Sequence, residues 1–137
     1  MFSVYNSTDY GGSGQDFVTY CFAPVEGYSA FGSYTGNGSA DGPFVYTGFR
    51  PRWVLWRASS TTGNWILIDT VRDAYNVSNA RLFPNLSNAE QANANGNIDV
   101  LSNGFKFRNT TADNNANGVT HIYAAFAENP FSLARAR

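Results

Sequence analysis

Apolar and polar positions alternate with a period of two along most of this chain, and short turn signals break the alternation. Trp53-Val54-Leu55-Trp56-Arg57 and Trp65-Ile66-Leu67-Ile68-Asp69 are rich in aromatic and branched residues and predict two strands. The polar run Ser59-Ser60-Thr61-Thr62-Gly63-Asn64 between them predicts a hairpin loop. Phe44-Val45-Tyr46-Thr47, Ile98-Asp99-Val100-Leu101, Phe105-Lys106-Phe107-Arg108 and Thr120-His121-Ile122-Tyr123-Ala124-Ala125-Phe126 read as further strands. Asn and Gly recur between such runs, at Gly36-Asn37-Gly38, Asn95-Gly96, Asn103-Gly104 and Asn117-Gly118, and both tolerate the positive φ of tight turns. Pro43 and Pro51 stand just ahead of strands, where a missing N–H does no harm. Residues 86–95 are the one stretch with helical signals, Ser87 followed three residues on by Glu90, but they are short and Asn-rich and suit a loop equally well. Roughly ten strands at this spacing predict an all-β fold, an antiparallel two-sheet β-sandwich of the concanavalin, laminin-G or related jelly-roll kind.

Length and composition fit that reading. A chain of 137 residues makes one domain with one sizeable core, so residues 1–137 are expected to form a single β domain. Charged residues are 14% of the chain, well under the usual quarter, with Asn, Gly, Ser and Thr in their place. Net charge is −1 and the isoelectric point is about 5.6. That balance lacks the basic footprint of a nucleic-acid binder and any polybasic run for an anionic membrane. No apolar stretch approaches the ~18 residues that span a bilayer, so membrane insertion is not expected. Met1-Phe2-Ser3-Val4-Tyr5 has neither the charged nor the long apolar region of a signal peptide.

The chain carries an internal echo. Phe2-Ser3-Val4-Tyr5-Asn6-Ser7-Thr8 matches Phe105-Lys106-Phe107-Arg108-Asn109-Thr110-Thr111, and Val18-Thr19-Tyr20-Cys21-Phe22-Ala23 matches Ile122-Tyr123-Ala124-Ala125-Phe126-Ala127. Each copy reads as a strand, a polar loop and a strand that ends in Phe-Ala. Residues 1–27 therefore read as the closing hairpin of a preceding, related module, with the chain an excerpt of a longer protein; quasi-symmetric edges of one sandwich are the other reading.

An ordered series of motifs carries a family resemblance. Tyr20-Cys21-Phe22-Ala23-Pro24-Val25-Glu26-Gly27-Tyr28-Ser29 leads into Phe31-Gly32-Ser33-Tyr34-Thr35-Gly36-Asn37-Gly38 and Asp41-Gly42-Pro43-Phe44-Val45-Tyr46-Thr47-Gly48-Phe49-Arg50-Pro51. Gly63-Asn64-Trp65, Leu101-Ser102-Asn103-Gly104-Phe105-Lys106 and Ala125-Phe126-Ala127-Glu128-Asn129-Pro130-Phe131 follow. The series resembles a domain of uncharacterised function at the C-terminal end of bacteriophage tail and tail-fibre proteins, common among marine phages. The resemblance covers most of the chain and is weakest over residues 72–97. It implies an extracellular virion component whose partners are other tail or fibre proteins and a host-surface glycan or protein, and it is compatible with a homo-oligomer such as a trimer. It supplies no catalytic residue and no cofactor.

The residues themselves leave three functions open. A host-attachment module comes first, a purely structural or decorating domain second, and an envelope-polysaccharide hydrolase third. Glu26, Asp69, Asp73, Glu90, Asp99 and Glu128 are too scattered to suggest a hydrolytic carboxylate pair, and Glu26 and Glu128 suit pairing with Arg50 or Arg52. His121, the one histidine, reads as structural, and one His with one Cys is too little for zinc. Asp113-Asn114-Asn115-Ala116-Asn117-Gly118 fits the first half of a calcium loop, but the twelfth position is Ala124, so a polar hairpin loop without metal is expected. Cys21, in an apolar run, reads as a small buried hydrophobe. Trp56, on one face with Val54, and Trp65, which opens its strand, are expected in the core. Tyr10, Tyr28, Tyr34 and Tyr75, in or near loops, are the exposed aromatic candidates. For recognition the chain points to residues 72–97. There Tyr75 offers a stacking face, Arg72 and Arg81 offer hydrogen-bond donors, and the turn at Asn37 is a second place.

Overall fold

The computed structural model describes residues 11–130. Two antiparallel sheets pack face to face. The first has the order β1-β9-β3-β4, from β1 (Ser29–Thr35), β9 (Thr120–Ala127), β3 (Pro51–Ala58) and β4 (Ile66–Asp69). The second has the order β2-β8-β7, from β2 (Phe44–Tyr46), β8 (Gly104–Phe107) and β7 (Ile98–Leu101). A two-strand ribbon, β5 (Ala80–Arg81) with β6 (Gln91–Ala92), lies outside both. The all-β sandwich expected from the alternation is thus the fold.

Register explains which side chains meet. Val54 pairs with Ala125 and Ile68, and Trp56 pairs with Tyr123 and Ile66. The inward members of these rows, with Val45, Ile98, Val100, Phe105 and Phe107 of the second sheet, make one core. Trp56 meets Phe107 edge-on with centroids 5.4 Å apart, and Tyr123 meets Phe105 at 5.5 Å. Each contact joins one sheet to the other, which is how alternating strands bury a common layer.

The helical signals at residues 86–95 resolve into β6 and a short 3₁₀ turn (Ala94–Gly96), while the one α-helical turn among the described residues is α1 (Ala112–Asn115). Its Asn114 and Asn115 point inward and are fully buried. Asn114 donates to the Asn95 carbonyl (2.7 Å), and Asn115 donates to the carbonyls of Ser39 (2.7 Å) and Asn109 (2.9 Å). The segment compared with a calcium loop therefore spends these amides on fastening three other loops.

Residues 70–96 close the sandwich along one side. Leu82 exchanges two backbone hydrogen bonds with Leu67 of β4, and Ser78 exchanges two with Ile98 of β7. Asp73 accepts from the N–H groups of Asn79 and Ala80, and Asn76 brackets Val100 with one bond to its N–H and one to its carbonyl. The stretch with the least strand character is thus a wall that joins the β4 edge of one sheet to the β7 edge of the other.

Three local expectations are corrected. Trp65 precedes β4 and is half-buried, because Ile66 and Ile68 take the inward positions. Tyr34 is buried, stacked between Phe107 and His121 at 4.8 Å from each. Cys21 is exposed, in a segment without regular structure, so the resemblance of residues 18–23 to β9 is not matched by a strand. The first half of the echo, and Tyr10, lie outside the described residues.

Candidate functional site

A sheet that borders water on one side ordinarily carries polar residues there. The outer face of the four-stranded sheet has them at Ser33, Arg57 and Asp69, but much of the rest is apolar. Register places Phe31, Ala124, Leu55 and Leu67 in one outward row, with Phe126 and Trp53 in the next. These rows, with Ile122, Trp65 and Phe22, line an apolar cleft of about 290 Å³. Phe126 is its hub: the rings of Phe31, Trp53, Tyr28 and Phe22 sit around it at 5.8, 5.4, 5.9 and 6.3 Å. Phe22 also stacks on Phe31 at 5.9 Å, yet is 68% exposed. Arg57 lies over the Trp65 ring at 5.7 Å and donates to the Gly63 carbonyl. The lining offers stacking and apolar contact but few directional polar groups.

Residues chosen from the sequence fall elsewhere and do not converge. Arg81 is buried: its guanidinium donates to the Asn95 carbonyl and to the side chains of Gln91 and Asn93, and covers the Phe83 ring at 5.3 Å. Burial lowers its pKa from the ordinary value, and Asp113 opposes that. Arg72 is held by Asp69 and Glu90. Tyr75 is 85% exposed. Asn37 is bonded to Asn115, Asp41 and Ser39 as part of the loop fastening. The sequence reading missed the outer face, although its signal was present: Trp53-Val54-Leu55-Trp56 and Trp65-Ile66-Leu67-Ile68 are apolar at consecutive positions, which supplies both faces of a strand.

Several ionisable groups are engaged structurally. Arg50 pairs with Glu128 at 2.9 Å, as the echo suggested, and donates to the Val100 carbonyl. His121 is fully buried, and its Nδ1 donates to the Val119 carbonyl at 3.1 Å. Lys106 pairs with Asp41 at 2.7 Å. The hydrogen bond and charge of Lys106 lower the Asp41 pKa. Among the described residues no three His, Cys, Asp or Glu side chains gather as a metal-binding group.

Residues 1–130 match a family model described as Domain of unknown function (DUF7483). No curated protein and no solved structure matches the chain.

Proposed function

The chain belongs to that family, and from its aromatic outer face we propose that it is a binding and assembly module of a bacteriophage tail or tail fibre, working by docking and not by catalysis. One observation carries the reading: the outer side of the four-stranded sheet, opposite the core, forms an apolar cleft ringed by Phe22, Phe31, Trp53, Trp65 and Phe126. A contiguous exposed apolar patch is costly in water and marks a surface that a partner covers. A sugar site adds directional donors around its stacking ring, and this cleft has few, so it favours an apolar protein surface. The resemblance to tail-fibre domains supplies the setting, in which that surface belongs to a neighbouring tail protein of the virion.

The test is a pair of outer-face substitutions, Leu55→Ser with Trp65→Ser, introduced into the particle. The expected outcome is loss of the module from purified virions while the isolated module keeps its circular dichroism. Unchanged incorporation of a folded variant overturns the proposal. Host attachment is a second reading, favoured by the fully presented ring of Tyr75 on the wall formed by residues 70–96.

A further inference from the structure

The edge of the four-stranded sheet carries an inference beyond the docking face. Ala127 donates to the Tyr28 carbonyl, and Ser29 exchanges two backbone hydrogen bonds with Val25 on the other side. Successive residues of a strand direct their backbone groups to opposite sides. Tyr28, Ala30, Gly32 and Tyr34 thus face β9, and Phe31 and Ser33 direct N–H and C=O away from it. Among the described residues no strand lies beyond β1.

Natural sheets guard such an edge with charge, proline or a bulge. The β1 sequence Ser-Ala-Phe-Gly-Ser-Tyr-Thr has no charged residue and no proline, and its register with β9 runs unbroken. An unguarded edge is a template for another strand.

A strand of suitable chemistry sits in the same chain. Residues 17–23, Phe-Val-Thr-Tyr-Cys-Phe-Ala, are uncharged and exposed, with Val18 at 82% and Tyr20 at 81%. They have no regular structure, yet residues 18–23 follow the pattern of 122–127 in β9, the strand that β1 already accepts on its other side. In its own molecule the chain just after the segment makes one rung with β1, Val25 to Ser29, the Ala23 carbonyl accepts from the Ser29 hydroxyl, and the pairing goes no further. Continued pairing in that register would put Phe22 opposite Gly32 on the inner face. Phe22 instead lies on the outer face against Phe31.

We propose that two copies of this chain exchange these segments, residues 17–23 of each adding antiparallel to the open edge of β1 in the other. The exchange pairs the outward backbone groups of Phe31 and Ser33 and covers Val18 and Tyr20. It is reciprocal and closes as a two-fold pair, the commonest symmetry of soluble oligomers.

Light scattering of the full chain over a range of concentrations tests this. The expected mass is twice 15.0 kDa. Ser33→Pro removes an N–H on the open edge, and the double variant Val18→Lys with Tyr20→Lys charges the exchanged segment outside the core. Each is expected to return the mass to 15.0 kDa with an unchanged circular dichroism spectrum. Should Ser33→Pro unfold, the lysine variant decides alone. A monomeric parent, or a folded lysine variant that stays paired, overturns the proposal. The exchange would carry Phe22 with it but leaves Leu55 and Trp65 in place, so the Leu55 and Trp65 variants read docking through the outer face separately.

Discussion

The indole N–H of Trp56 donates to Oδ1 of Asn114 across 3.1 Å, so the largest side chain of the core is tied to the loop-fastening turn α1. The same side chain donates to the Asn95 carbonyl and to Oδ1 of Asn109, while the backbone carbonyl of Asn114 accepts the Tyr34 hydroxyl at 2.8 Å. Asn114→Ala strands several buried polar groups at once. The expected cost is about 3 kcal/mol, since each buried group left without a partner costs ~1–3 kcal/mol. Chemical denaturation measures it, and a midpoint equal to the parent's refutes the fastening role.

The two tryptophans should separate clearly. Trp56 is fully buried and Trp65 half-buried at the cleft. Trp56→Ala is expected to destabilise by ~3–5 kcal/mol, the range for large aromatic truncations in cores. Trp65→Ala is expected to cost roughly 1–2 kcal/mol, closer to the centre of the distribution for single substitutions. Equal losses would contradict the assigned phase of β4.

The recognition candidates divide in the same way. Tyr75→Ala is expected to change stability by less than ~0.5 kcal/mol, as for exposed positions without special partners. Arg81→Ala leaves Gln91, Asn93 and the Asn95 carbonyl with fewer partners and uncovers Phe83; a loss of ~1–3 kcal/mol is expected. Thermal melts of both variants, with host-cell adsorption for Tyr75→Ala, provide the check. Adsorption reduced in the stable Tyr75 variant supports host attachment through this wall, and unchanged adsorption removes it.

Stability should fall on mild acidification. Burial pushes the His121 pKa below the usual histidine value, against the opposing pull of the Val119 and Ala112 carbonyls and of Asp113. The unfolded chain therefore binds this proton more readily than the folded one, and stability rises with pH between the two values. Melting temperature is expected to drop as pH falls below about 6.5, the ordinary histidine pKa. His121→Gln should flatten that slope. A slope retained in a folded variant assigns the effect elsewhere.

Chelation offers a further check. The oxygens and amides of Asn114 and Asn115 are committed to protein partners. Adding EDTA is expected to leave the melting temperature unchanged, and a clear drop refutes this.

By itself the sequence determined six of the strands, β2, β3, β4, β7, β8 and β9, and the class of fold; β1, β5 and β6 carried no clear signal. Alternation at 44–47, 98–101, 105–108 and 120–126, with Asn-Gly turns between, has a period that an extended backbone alone satisfies. It also placed Trp56 with Val54 in the core and offered Arg50 or Arg52 as the partner of Glu128, of which the structure takes Arg50. Tertiary structure decided what such local patterns leave open. Trp65-Ile66-Leu67-Ile68 is apolar at every position, so its phase was fixed only when Ile66 and Ile68 met Trp56 and Val54 across the ladder. Arg81 and Tyr75 look alike as polar candidates on one loop, yet one is buried between the Phe83 ring and its Gln91 and Asn93 partners and the other stands in water, because two distant edges, at Leu67 and Ile98, pin the chain between them. The apolar outer face is likewise a property of four strands together. β1, β3 and β9 contribute one ring each and β4 adds Leu67, and only the register brings Phe31, Trp53 and Phe126 side by side.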